Sequence, residues 1–410
     1  MKQEISIVEE RFEFSRDIKK WLFYLVATGL ALAVLGSVIV GVGHHGDVES
    51  AHHSPVWLQR LWTAIWVNSV YFTGIAVIGV FFVAFNYASQ AGWSAAIKRI
   101  PEAFGSWLLY AGIIALVVFL VAKGSLFHWT VEESDPIILG KRPYLNTGFF
   151  VARLILYYGL WYMMYRAIRK RSLEEDTLGG AESWRKIRFY SVIFIVVFAV
   201  TSSTSAWDWV MSTDPHWFST LFGWYVFSSW FVAGLVAIAL MLVWLKESGY
   251  LAPVNANHFH DMGKYIFAFS IFWMYLWFSQ YLLIYYSNIP EEALHYYERL
   301  HSPVYGPMFY VNIILNFFFP FLVLMTRDSK RHGIFLKIAG VVLLIGHWID
   351  FYLQIAPPVV GQHGGIGFLE AGVTMIFAAA FLFVVLGSLS KAPLIARKHP
   401  MLEESLHYHT

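Results

Sequence analysis

Long apolar runs separated by short polar connectors dominate the chain. After an opening stretch of polar and charged residues (MKQEISIVEERFEFSRDIKK), about ten runs reach the roughly 20 residues that a helix needs to cross a bilayer. Their spans are 21–42, 62–87, 103–123, 147–168, 187–209, 220–245, 264–288, 305–326, 333–356 and 367–389. A membrane-spanning segment must satisfy its own backbone hydrogen bonds, and these runs are too long and apolar for barrel strands, so they are helices. The predicted fold class is all-α: a polytopic integral membrane protein with about ten transmembrane helices. Residues 1–410 read as one membrane domain, with an N-terminal segment (1–20), a helical body (21–389) and a C-terminal tail (390–410). The first apolar run exceeds the roughly 7–15 residues of a cleaved signal peptide and is expected to stay in the membrane. The connector at 289–304 (IPEEALHYYERLHSPV) is polar enough to form a surface helix.

Composition sharpens this picture. Charged residues make up 14% and hydrophobic residues 58%, whereas soluble domains carry about 25% charged residues. A soluble enzyme is excluded on that ground, and a net charge of +2 gives no basis for nucleic-acid binding. With no cysteine, thiolate-held iron–sulfur clusters, covalent c-type haem and disulfides are excluded. Of the 29 Lys and Arg, one connector side holds only Arg60, Lys123, Lys141, Arg142 and Arg299, and Arg153 falls inside the fourth run. The rest lie on the side of the N-terminus, which the positive-inside bias assigns to the cytoplasm, so both termini are expected there. The far side is called outer below.

Ionisable groups inside membrane helices are costly and mark functional candidates. Five fall within the runs, all in the expected outer half: Arg153, Asp208, His347, Asp350 and Glu370. The inner half offers only neutral groups such as Asn86, Asn312 and Asn316. In the ninth run His347, Asp350 and Gln354 are three and four residues apart and share a helical face. A carboxylate beside an imidazole can hold or pass a proton, beside a quinol or along a path; the alternative is a histidine satisfied by its helical neighbour. Thr201, Thr204 and Asp208 lie along the fifth run, where the hydroxyls suit helix packing as well as a proton relay. Arg153 is expected to neutralise Asp208 or Glu370, or to snorkel outward. Glu370 follows the stretch GQHGGIG, near the interface, where solvation would account for it. Only His347 lies well inside a run, so a haem clamped between two intramembrane histidines is not expected, and the His44-His45 and His52-His53 pairs match a metal site poorly. No metal site is assigned.

The fifth run ends on Trp207-Asp208-Trp209 and the ninth on Trp348-Ile349-Asp350-Phe351-Tyr352. An Asp among aromatics, repeated four segments later in the same direction, suggests two four-helix bundles, segments 2–5 and 6–9. The stretches SSTSAWDWVMSTDPHWFSTLFGWYVFSSW (202–230), HDMGKYIFAFSIFWMYLWFSQYLLIYYSNIPEE (260–292) and GHWIDFYLQIAP (346–357) resemble the bacterial alternative complex III family. The similarity is to the smaller of its two NrfD-like membrane subunits, which is related to the polysulfide-reductase membrane subunits. It runs over nearly the whole chain.

That resemblance implies a membrane subunit of a quinol:cytochrome c oxidoreductase in a respiratory or photosynthetic chain, in the bacterial cytoplasmic membrane. It implies two bundles, no covalently bound cofactor or redox centre in this subunit, and a quinone (menaquinone or another) as the membrane substrate. The implied partners are a larger NrfD-like subunit, an iron–sulfur subunit, haem c subunits and membrane lipid. A quinone site, a proton path, or both are the implied contributions of this chain, although no family quinone motif maps onto individual residues. The competing reading is a free-standing secondary transporter. Transporter sites lie near the midplane on interrupted helices, whereas these charges lie outward and no helix reads as broken at mid-depth.

Overall fold

The computed structural model describes residues 10–43, 54–177 and 179–409; His44, His45, His52 and His53 lie outside them. Ten long helices make up the body, and the protein is a multi-pass α-helical membrane protein. They are α1 (Arg16–Gly43), α2 (Val56–Ala88), α3 (Arg99–Leu126), α4 (Thr147–Thr177) and α5 (Gly180–Trp209), then α6 (Phe222–Glu247), α7 (Ala256–Ser287), α8 (Tyr305–Val323), α9 (Gly333–Val360) and α10 (Phe368–Leu389). Among the described residues, nine of these are long and apolar enough to cross a membrane. The exception is α4, whose 31 residues include Arg153, Arg166, Arg169, Lys170 and Arg171. The Leu394 amide donates to the Glu10 carbonyl at 2.9 Å, so the first and last described segments meet at one end of the bundle; with the nine apolar helices crossing, that arrangement calls for α4 to cross as well.

Helices α2–α5 pack as one four-helix bundle and α6–α9 as another, as the repeated Asp motif suggests. The bundles join through α2, whose most apolar stretch is 94% buried; a helix apolar on all sides belongs inside. Across the join, the Tyr71 hydroxyl donates to the Leu344 carbonyl at 2.8 Å, and Trp348 Nε1 donates to Asn68 Oδ1 at 3.1 Å. Helices α1 and α10 pair outside the bundles. Their close approach needs glycine: a Cβ on Gly372 would sit 2.4 Å from the Gly29 carbonyl oxygen, and one on Gly36 would sit 2.2 Å from the Leu369 nitrogen.

Two of the described helices are irregular, although neither is interrupted by a non-helical segment. A 3₁₀ turn at Gly105–Trp107 interrupts α3, and α8 passes through a π-helical turn at Ile314–Phe318. The polar connector after α7 forms the expected surface helix, Pro290–His301.

Candidate functional site

The second bundle centres its polar groups on α9. Asp350 lies 17 residues from Gly333 and ten from Val360, which places it nearer mid-helix than the outer end expected of it. Its carboxylate is 1% exposed and faces donors from three other helices. The Tyr225 hydroxyl of α6 and Asn312 Nδ2 of α8 (3.1 Å) reach Oδ1, while Ser229 Oγ of α6 (2.8 Å) and Trp273 Nε1 of α7 (3.1 Å) reach Oδ2. All four donors are neutral. Among the described residues no Lys, Arg or His forms an ion pair with Asp350.

His347 and Asp350 share a face but do not bond each other directly, which corrects the expected pair. Ser229 stands between them, with Oγ 2.9 Å from His347 Nδ1 and 2.8 Å from Asp350 Oδ2. Ser229 has one hydroxyl hydrogen to give, so it can be the donor in only one of these two bonds. If Ser229 donates to Asp350, His347 Nδ1 has to carry a hydrogen to bond Ser229; if Ser229 donates to His347, the Asp350 side supplies the hydrogen. The protonation of the two groups is therefore coupled through one hydroxyl.

Asn316 extends this network along α8, donating to Asn312 Oδ1 at 2.6 Å. Gly346 admits it: a Cβ there would lie 2.3 Å from Asn316 Oδ1. Both asparagines stand within or beside the π-helical turn, and such turns recur at functional sites because they re-aim side chains. The sequence pattern placed Asn312 in the other half of the membrane, at a different depth from Asp350; the structure joins them.

Several buried polar atoms here have no partner within the described chain: His347 Nε2, Asn316 Oδ1 and both amide atoms of Gln354. Gln354 is one turn outward from Asp350. Beyond it, Arg299 of the surface helix is 4% exposed, donates to the Leu353 and His295 carbonyls, and keeps Nη2 unpartnered. Buried polar groups are almost always satisfied. These atoms leave hydrogen-bonding capacity that water or a polar ligand group could take up.

The first bundle has a different solution at the matching Asp. Arg153 grips Asp208 with two bonds, Nε to Oδ2 at 2.7 Å and Nη2 to Oδ1 at 2.9 Å, and the Tyr157 hydroxyl adds a third at 3.0 Å. The guanidinium also lies over the Tyr144 ring, 3.9 Å from its centroid. A carboxylate so held is a structural clamp. Thr201 accepts from Trp161 Nε1 at 2.8 Å and bonds back to its own helix, as does Thr204. Both hydroxyls are therefore tied to their own helix backbone, as suits close helix packing.

Glu370 is not solvated but 1% exposed. Arg60 donates to its Oε1 through Nε (2.9 Å) and Nη2 (2.7 Å), and the Gly367 amide caps Oε2 at 2.8 Å. It ties the start of α10 to α2.

A further correction concerns the inner end, where the sequence placed its charges in connectors: several of them are buried in pairs between the helices. Lys98 pairs with Glu175 beside Tyr87, Arg99 with Asp176 at 2.6 Å, and Arg169 with Glu102 at 2.6 Å, all largely buried. These charges read as connector residues because α4 runs to Thr177, well past the predicted end at 168. One signal was available: Arg169, Ser172 and Asp176 recur at three and four residues, on one face of a continuing helix.

An apolar cleft of about 990 Å³ lies between α1, α10 and the bundles, bordered by Trp21, Tyr71, Met241 and Trp348. Its lining includes neither His347, Asp350 nor Gln354. Among the described residues no group of three or more His, Asp and Glu is arranged to hold a metal ion. No protein-family model matches the chain, and no curated protein shows significant similarity to it.

Proposed function

We propose that the chain is a proton-handling membrane subunit of a quinol:cytochrome c oxidoreductase of the alternative complex III type. The observation that carries this reading is the buried Asp350–Ser229–His347 relay, with unpartnered polar atoms at His347 and Gln354. Quinol oxidation releases two protons and two electrons. In this reading the electrons pass to iron–sulfur and haem c partners, and this chain conducts protons through α6, α8 and α9. A quinone served directly by the relay would reach it past Gln354 within the second bundle, since the apolar cleft is not lined by His347, Asp350 or Gln354.

The secondary transporter remains the second reading, favoured by the π-helical turn beside the relay, because transporter sites use irregular helices. Purification in mild detergent separates the two readings. Co-purifying haem c absorbance and iron–sulfur protein support the oxidoreductase; a lone 47.1 kDa species overturns it. In the assembled complex, Asp350→Asn should lower quinol:acceptor turnover roughly 10²-fold or more and shift its pH profile. His347→Ala and Ser229→Ala should each lower it, and their double variant should add little, as expected of groups acting through one hydroxyl. Wild-type rates and pH profiles in all three variants would reduce the relay to a packing contact.

A further inference from the structure

At the end of the bundle where Glu10 meets Leu394, α1, α3, α4 and the end of α10 enclose an open cleft of about 1200 Å³. Five cations line it: Lys19 from one wall, Arg166, Arg169 and Lys170 from α4, and Lys391 just beyond α10. Arg169 is committed to Glu102 at 2.6 Å, and the lining carboxylate, Glu174, is held by Arg171 at 2.5 Å. The other four cations have no carboxylate partner among the described residues. Deeper in, the walls are apolar and aromatic: Leu109, Tyr110, Tyr162 and Phe383.

We propose that this cleft binds an anionic phospholipid, with a two-phosphate diphosphatidylglycerol headgroup as the best match. Charge complementarity selects the headgroup. Four unpaired cations on two facing walls suit two phosphates, whereas a zwitterionic head would bring its own cation among them. The apolar walls suit acyl chains, and the two features meet where tyrosines mark a membrane interface. Basic pockets between transmembrane helices on the positive-rich side bind such lipids, each cation adding to the attraction. The bound lipid would fill the space between the α1–α10 pair and the first bundle. The proposal stands apart from the relay in the second bundle and does not depend on its role.

The test uses the full-length chain, delipidated in mild detergent and titrated separately with diphosphatidylglycerol, phosphatidylcholine and inorganic phosphate. Native mass spectrometry reads the bound lipid and thermal shift reads the stabilisation. Diphosphatidylglycerol should bind and raise the melting temperature, and the other two should not. Lys170→Gln/Lys391→Gln should weaken that binding roughly tenfold or more, with the unliganded melting temperature unchanged because both side chains are exposed. Arg185→Gln/Lys186→Gln, exposed cations at the same end but outside the cleft, should leave binding unchanged. Equal binding by the cleft variant overturns the site. An equal shift with inorganic phosphate overturns the lipid as its ligand.

Discussion

At the scale of single residues, the two bundle aspartates show how neighbours decide what a carboxylate does. Asp208 and Asp350 occupy matching places, yet one meets Arg153 and the other meets a tyrosine, a serine, a tryptophan and an asparagine. Breaking a buried ion pair strands its partner, so Arg153→Met should destabilise the protein by about 3–5 kcal/mol. Replacing both members, as Arg153→Met/Asp208→Leu, should recover most of that loss, because no charge is left uncompensated. Thermal unfolding of the three proteins in one detergent checks this. If the double variant is no better than the single one, Arg153 acts chiefly through its stacking on Tyr144 and Phe149.

At the scale of elements, small residues decide how α1 is held, since most of it faces outward. Adding one methyl at Gly372 meets the Gly29 carbonyl and the Ala33 nitrogen, both backbone atoms that cannot swing aside. Gly372→Ala should therefore destabilise, by roughly 1–3 kcal/mol. Gly159→Ala in α4, where a Cβ meets nothing within 4 Å, should instead stabilise by up to about 1 kcal/mol through helix propensity. Thermal shift of the pair reads both signs. The surface helix Pro290–His301 carries a pH-dependent anchor. Burial first, and the Arg299 charge second, push the His295 imidazole down to about 3, and it stacks on Trp217 with ring centroids 3.8 Å apart. It is therefore neutral at pH 7. Its folded-state value lies below the unfolded value near 6.5, so the folded state binds fewer protons, and stability falls as pH drops from about 6.5 towards 3. Hydrogen exchange in 290–301 should accelerate over that window, and His295→Gln should flatten the dependence. An unchanged slope in the variant would assign the acid sensitivity to other groups.

At the scale of the whole molecule, the meeting of the first and last described segments constrains topology. Glu10 bonds Leu394, and the C-terminal segment docks beside α2 and α7, where Ser405 Oγ bonds the Trp93 carbonyl at 2.7 Å and Asn257 Nδ2 donates to the Tyr408 carbonyl at 2.9 Å. The basic bias then predicts that this end is cytoplasmic. Reporter fusions at Lys170 and Lys330 should behave as cytoplasmic, and fusions at Asp135 and Glu292 as external. An external signal at Lys170 would remove α4 from the membrane and contradict the even count.

Helix type, approximate spans and the paired bundles were legible in the chain, because a 30 Å apolar solvent leaves few ways to satisfy a backbone and each writes a long apolar run. The repeated Asp motif was legible for the same reason: an ionisable residue inside such a run stands out. What each one touches was not. Tyr225, Ser229 and Trp273 are ordinary bundle residues in sequence, and only the packing of α6 and α7 against α9 turns them into the surroundings of Asp350. Glu370 read as interfacial because nothing in the chain links it to Arg60, which lies 310 residues away. The charges at 98–102 and 169–176 read as connectors because hydropathy marks where lipid ends, not where a helix ends. Tertiary structure decided these cases because a buried charge is tolerable only beside its partner, and partners are chosen in space.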